Sequence, residues 1–207
     1  DKLLTFSKIR AASQIMANLP YVKGVRIGIK LPDTVNIMIE EESVVYAIKS
    51  SDGQWWMMDS DGRVVEQANN AKAATATQVL GVTLEAPTVN EKGVATEMTP
   101  SETNELGELI PVSTTGAQRL TAALQILKAL ENNDIVGEAA SVDVTSTEDI
   151  ILWYGTRYQV NLGDTSRLDY KVDCMNDAIL QMSDYQSGVL DISFTIWPNQ
   201  VGYTPFA

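Results

Sequence analysis

Residues 26–41, RIGIKLPDTVNIMIEE, admit one local fold, two strands doubling back on each other. Ile27, Ile29 and Leu31, then Val35, Ile37 and Ile39, recur with period two, so each strand sends its apolar side chains to one face. Leu31-Pro32-Asp33-Thr34 between them has turn composition: proline presets φ for a type I turn and aspartate bonds its own backbone. Ahead of the hairpin, Ser7 has the side chain of an N-cap. Ile9, Ala12, Met16 and Leu19 fall on one helical face, and Asn18-Leu19-Pro20 ends the helix. A helix and hairpin of about 40 residues cannot bury a core alone.

From residue 43 onward the chain reads as strands with two longer helices. Val44–Lys49, Trp55–Met58 and Val64-Val65 are separated by Asp52-Gly53 and Asp61-Gly62, a strong hairpin signal repeated, and predict a three-stranded meander. Trp55 and Trp56 are adjacent in a strand and therefore face opposite sides. Ala68–Ala76 is small, polar and loose, and Val79–Leu84 is a further strand. Residues 86–113, with Pro87, Gly93, Pro100, Gly107 and Pro111, have loop composition. Leu120, Ala123, Leu124, Leu127 and Leu130 stripe a helix over Ala117–Leu130 capped by Thr114 or Thr115. Strands are predicted over 139–145, 149–154 and 157–162. Leu168, Val172, Met175, Ile179 and Met182 stripe a helix over Ser166–Met182, and Val189–Trp197 reads as the last strand.

Chemistry is conspicuously thin. The chain has no histidine, which removes the Ser-His-Asp and Cys-His arrangements, most zinc sites and the commonest general base. Its single cysteine, Cys174, allows no internal disulfide and flanks an apolar helix stripe. No glycine-rich nucleotide cradle occurs. A net charge of -12 argues against nucleic acid and against a polybasic membrane patch. Asp59-Ser60-Asp61-Gly62-Arg63 resembles the start of a calcium loop but lacks the remaining ligand positions, so it reads as a hairpin turn. Glu40-Glu41-Glu42 is the densest carboxylate run, and a glycosidic mechanism would need two acids facing one cleft. No apolar run approaches the ~18 residues that span a bilayer. The chain opens at Asp1-Lys2 inside a foldable unit, and the expectation is a piece of a longer protein whose missing part holds a membrane anchor.

ANLPYVKGVRIGIKLPDTVNIMIEE resembles the end of the POTRA domain in bacterial cell-division proteins of the FtsQ/DivIB family. WWMMDSDGRVVE, then ILWYGTRYQVNLGDTSRLDYKVDCMNDAIL, then SGVLDISF, are similar to later stretches of that family in the same order, over nearly the whole chain. The resemblance implies an α+β fold: residues 1–42 the C-terminal part of a POTRA domain, 43–197 a larger, mostly antiparallel β domain with two helices, and 198–207 a tail.

It further implies a single-pass protein of the cell membrane with this part on the extracytoplasmic side. Such a protein is a divisome scaffold for septum formation, without catalysis, cofactor, small-molecule substrate or nucleic acid. FtsL and FtsB/DivIC-type proteins are its partners, bound by strand addition at the final strand. The implied partner-binding positions are Leu190, Ile192, Ser193, Phe194, Trp197 and Tyr203, and the hairpin surface is Lys30, Leu31, Pro32 and Asp33. Phe194 has a competing reading as core, and Ser193 stands where Gram-negative relatives carry arginine. Two alternatives stand beside the scaffold. A POTRA-containing assembly or secretion component would continue into a barrel or further repeats, and a carboxylate-dependent cell-wall hydrolase would need its cleft.

Overall fold

The computed structural model describes residues 6–41, 45–97, 114–195 and 198–206. Helix α1 (Lys8–Asn18) starts where Ser7 Oγ accepts the Arg10 N–H at 3.3 Å. It stops at Leu19, one residue before Pro20. Strands β1 (Val22–Lys30) and β2 (Thr34–Glu41) pair antiparallel, with Ile27 opposite Ile37 and Ile29 opposite Val35, as the period-two pattern demands. Lys30 pairs with Thr34, which leaves the three-residue loop Leu31-Pro32-Asp33 in place of the expected four-residue turn. The apolar face of α1 lies over β1 yet none of its residues is buried, and Ile9 is 82% exposed. One helix covers one strand, and Ile37 and Ile39 on β2 stay half exposed.

The rest builds one nine-stranded mixed sheet. Its strands are β3 (Tyr46–Ser50), β4 (Trp55–Met58), β5 (Val64–Ala68), β6 (Gln78–Leu84), β7 (Ala139–Asp143), β8 (Ile150–Tyr154), β9 (Tyr158–Gly163), β10 (Gly188–Asp191) and β11 (Gly202–Pro205). They lie in the order β11-β10-β9-β8-β7-β6-β3-β4-β5. The predicted meander is β3-β4-β5. Both its turns are three-residue loops, Ser51-Asp52-Gly53 and Ser60-Asp61-Gly62, closed on left-handed glycines (φ 82° and 83°) whose N–H groups reach Ser50 O and Asp59 O at 2.9 and 3.0 Å. Parallel pairs β3-β6, β6-β7 and β9-β10 interrupt the antiparallel ones.

Helices α3 (Gly116–Asn132) and α4 (Leu168–Leu180) cover one face of the sheet. Thr115 caps α3 in a reciprocal capping box with Gln118. Leu120, Ala123, Leu127 and Leu130 of α3 and Leu168, Val172 and Met175 of α4 bury their predicted stripes against Tyr46, Val142, Leu152, Val160, Leu190 and others. A single helical turn, α2 (Asn70–Ala73), forms in the stretch expected to be loose, because Asn69 accepts the Lys72 N–H. With Tyr21 it covers the opposite face at the β3–β5 end, over Ala47, Met57, Val65 and Ala68. The two tryptophans divide as expected: Trp56 packs toward the helices and Trp55 toward this second patch.

The C-terminal end departs from the sequence reading. Of the last predicted strand, 189–197, the part to Asp191 is strand, 192–195 is not, and 196–197 lies outside the described residues; the residues expected to be tail supply β11, which pairs antiparallel with β10. Strand β10 is therefore interior, between β9 and β11, and among the described residues the edge at this end of the sheet is β11.

Candidate interaction surfaces

The side chains predicted on the last strand separate into distinct environments. Leu190 and Ile192 are completely buried in the helix-side core. Ser193 caps its own turn, its N–H and hydroxyl both reaching Asp191 Oδ1, at 3.0 and 2.7 Å. Phe194 is half buried on the rim of the core. Tyr203 sits on β11 opposite Leu190, packs on the same core, and donates its hydroxyl to Ser187 O at 3.1 Å. Trp197 lies outside the described residues.

Register determines what the edge can offer. The Phe206 N–H donates to Ser187 O at 3.1 Å, so Gly202, Thr204 and Phe206 turn their backbone groups inward to β10. Tyr203 then points its N–H and C=O outward, while Pro205 has only a carbonyl to give, which shortens the free ladder. On the helix side a groove of about 430 Å³ runs between α4 and this edge, lined among others by Ala178, Met182, Val201 and Tyr203. On the opposite face Phe206 reaches back across the sheet to stack on Trp153 of β8, centroids 6.2 Å apart.

Two residues absent from the sequence prediction join Phe194. The Arg167 guanidinium lies 4.4 Å from the Tyr170 ring centroid and 5.6 Å from that of Phe194, and the two rings are 5.6 Å apart. Arg167 Nη1 also donates to Asn199 Oδ1 at 3.0 Å. Arg167, Phe194 and Asn199 are all left-handed, with φ of 55°, 58° and 56°. Asparagine adopts this conformation readily, but for Arg167 and Phe194 it costs about 1–2 kcal/mol each, so their meeting in one contact marks a place the fold holds against local preference. Sequence periodicity carries no trace of this, since Arg167 precedes α4 and Phe194 follows β10. Cys174 beside Tyr170 holds the phenol above its ordinary value of 10, while Arg167 pulls it down.

The loop between β1 and β2 is open. Leu31 is 69% exposed, and Lys30, Pro32 and Asp33 beside it are exposed too. The calcium-like stretch is a structural turn: Asp59 accepts from the N–H groups of Asp61 and Arg63 and from Arg63 Nε, at 3.1, 2.8 and 3.0 Å. Among the described residues no cluster of three or more His, Cys, Asp or Glu could hold a metal. A groove of about 720 Å³ is bordered mainly by small side chains such as Ala74, Thr75, Gly137 and Ser141.

Fold and surface describe an α+β protein in which a helix–hairpin unit joins a wide mixed sheet that has an open strand edge, and in which an arginine–aromatic cluster forms around Phe194. The chain is distantly homologous to cell division protein DivIB. It is 25% identical over 185 residues to that protein of Clostridium tetani (strain Massachusetts / E88), covering 88% of this chain and 62% of the relative. It is 34% identical over 65 residues, 31% of this chain and 26% of the relative, to that of Clostridium acetobutylicum (strain ATCC 824). No family model matches the chain. Among the described residues no helix is long and apolar enough to cross a membrane.

Proposed function

We propose that this chain is the extracytoplasmic part of a non-catalytic division scaffold, anchored in the cell membrane through a segment outside this sequence. In this reading a segment of an FtsL or FtsB/DivIC-type partner adds to the outer edge of β11. The carrying observation is that β11, not β10, ends the sheet on this side, with the Tyr203 N–H and C=O directed outward. Arg167, bonded to Asn199 three residues before β11, gathers Tyr170 and Phe194 and supplies side-chain types that dominate interface energies. Residues 1–42 act as the C-terminal part of a POTRA domain, whose hairpin tip at Lys30–Asp33 is a second contact surface.

The test is binding of the chain to a purified FtsL–DivIC ectodomain complex. Tyr203→Pro removes the outward N–H and abolishes binding, and Phe194→Ala weakens it about tenfold or more, on the scale of an aromatic hot spot. Full binding by a Tyr203→Pro protein that still melts cooperatively rejects strand addition at β11. Binding then lost only in a Leu31→Asp variant would move the interface to the hairpin.

A further inference from the structure

We propose that Tyr21, Glu66 and Lys72 form a latch that fixes the direction of the helix–hairpin unit relative to the nine-stranded sheet. The unit meets the sheet through a short junction. Asn90 Nδ2 donates to Ala17 O at 2.8 Å, and Arg63 Nη1 to Val22 O at 3.4 Å. Between them the Tyr21 hydroxyl donates to Glu66 Oε1 at 2.7 Å and accepts from Lys72 Nζ at 3.1 Å. Lys72 also pairs directly with Glu66 and lies over the Tyr21 ring, 5.4 Å from its centroid. Past Val22, which is buried, the side chains of β1 are exposed or half buried.

The composition of this contact is that of a clasp. Tyr21 belongs to the junction, Glu66 to β5 and Lys72 to α2, so three elements meet at one hydroxyl. The single hydroxyl oxygen donates to the carboxylate and accepts from the ammonium at once. The ring beneath rests on the small patch of Ala47, Met57, Val65, Ala68 and Ala73. The Lys72 and Glu66 side chains are 46% and 35% exposed, so water competes for every bond, and the contact can open without unfolding the sheet. Burial and then the Glu66 bond raise the Tyr21 hydroxyl above 10. Burial would raise Glu66, but the Lys72 and Tyr21 bonds outweigh it and hold the carboxyl low, and the Glu66 bond holds Lys72 high. All three groups thus keep their bonding forms at neutral pH.

Position gives the latch its consequence. It grips the β4–β5 end of the sheet, while the β11 edge is at the other end, eight strand spacings or roughly 38 Å away. The latch therefore sets how the hairpin tip is aimed relative to that edge. If the proposed function holds and both surfaces bind, the latch decides whether one partner can span them, since a mismatched span loses the gain of joint binding.

The test needs no partner, so it fails or succeeds apart from that reading. Spin labels at Asn36→Cys and Asp149→Cys, in a Cys174→Ser background of the full chain, report the inter-unit distance. One narrow distribution is expected, broadened by Tyr21→Phe, which keeps the ring and deletes both hydroxyl bonds. The Val22 amide, bonded to Leu19 O at 3.0 Å, should then exchange about tenfold faster while amides of β9 are unchanged. An unchanged distribution and unchanged exchange overturn the latch. So does a Tyr21→Phe protein that loses protection throughout the sheet, because Tyr21 would then be ordinary core.

Discussion

Lys171 is 1% exposed, and replacing it with methionine tests how the loop ahead of α4 is held. Its Nζ donates at 2.8 Å to three acceptors, the carbonyls of Leu162 and Asp164 and the Asp164 carboxylate. Methionine fills the space of the stem and leaves both carbonyls without that donor. A hydrogen bond from a charged donor is worth about 1.5–3 kcal/mol net, and the desolvation of the ammonium offsets part of the sum. Lys171→Met should therefore cost about 2–4 kcal/mol, and at roughly 2 kcal/mol/M for the urea slope its midpoint falls by about 1–2 M. Asp164→Asn is the control. That side chain is 57% exposed, so water screens the charge pair and the loss should stay near 1 kcal/mol or less. The Lys171 bond, then the Ser166 hydroxyl and N–H, pull the Asp164 carboxyl from 3.8 to about 2. A depressed carboxylate stabilises above its ordinary value, and that contribution fades as pH falls through the folded value. Wild type should lose this increment between about pH 4 and 2, and Asp164→Asn should not. Equal midpoints for the two variants, or a Lys171→Met loss below about 1 kcal/mol, would refute the assignment of the loop to the two carbonyl bonds.

Two substitutions probe the core and a turn. The Tyr158 hydroxyl is buried without a hydrogen-bond partner among the described residues, so Tyr158→Phe should leave the thermal midpoint unchanged or raise it. A drop of more than about 1 kcal/mol in a urea melt would reveal a partner for it. Gly81 is left-handed (φ 81°), and a Cβ there would run into the backbone of Thr145. Gly81→Ala should cost well over 1 kcal/mol, measured by the same melts, whereas Gly53→Ala, left-handed in open space, pays only the backbone strain of about 1 kcal/mol.

Periodic elements were legible wherever burial acts on one face of a regular element. The α3 stripe and the two Asp-Gly hairpins follow from period and turn chemistry, and the apolar faces of β1 and β2 from period alone, while the register of that pair depends on a loop one residue shorter than the composition suggested. What the pattern could not carry was coverage. Ile9, Met16 and Leu19 have helical spacing, but spacing cannot say that the sheet beneath is two strands wide, which leaves Ile9 in solvent. Nor could it place Tyr21, whose neighbours in the fold, Glu66 and Lys72, are 45 and 51 residues away. Contacts made by single polar atoms across such separations leave no period to read.

The end of β10 shows the same limit from the other side. Leu190, Ile192 and Phe194 do share the core-facing side, so the alternation in VLDISF is real and records burial. Alternation records which face is buried, however, and is silent on where the backbone stops pairing. Pairing stops because Asp191 accepts the Ser193 N–H and hydroxyl, an Asx turn that competes with the ladder, and Phe194 then enters the left-handed region. The chain can now return as β11, whose Gly202 and Pro205 are poor strand residues by propensity. They are held by the β10 ladder, by the Tyr203 hydroxyl on Ser187 and by the stack of Phe206 on Trp153. An edge strand made of weak strand formers must be built by its neighbours, so local sequence could not announce it. Its outer backbone groups, at Tyr203 above all, are the ones a partner strand would pair with.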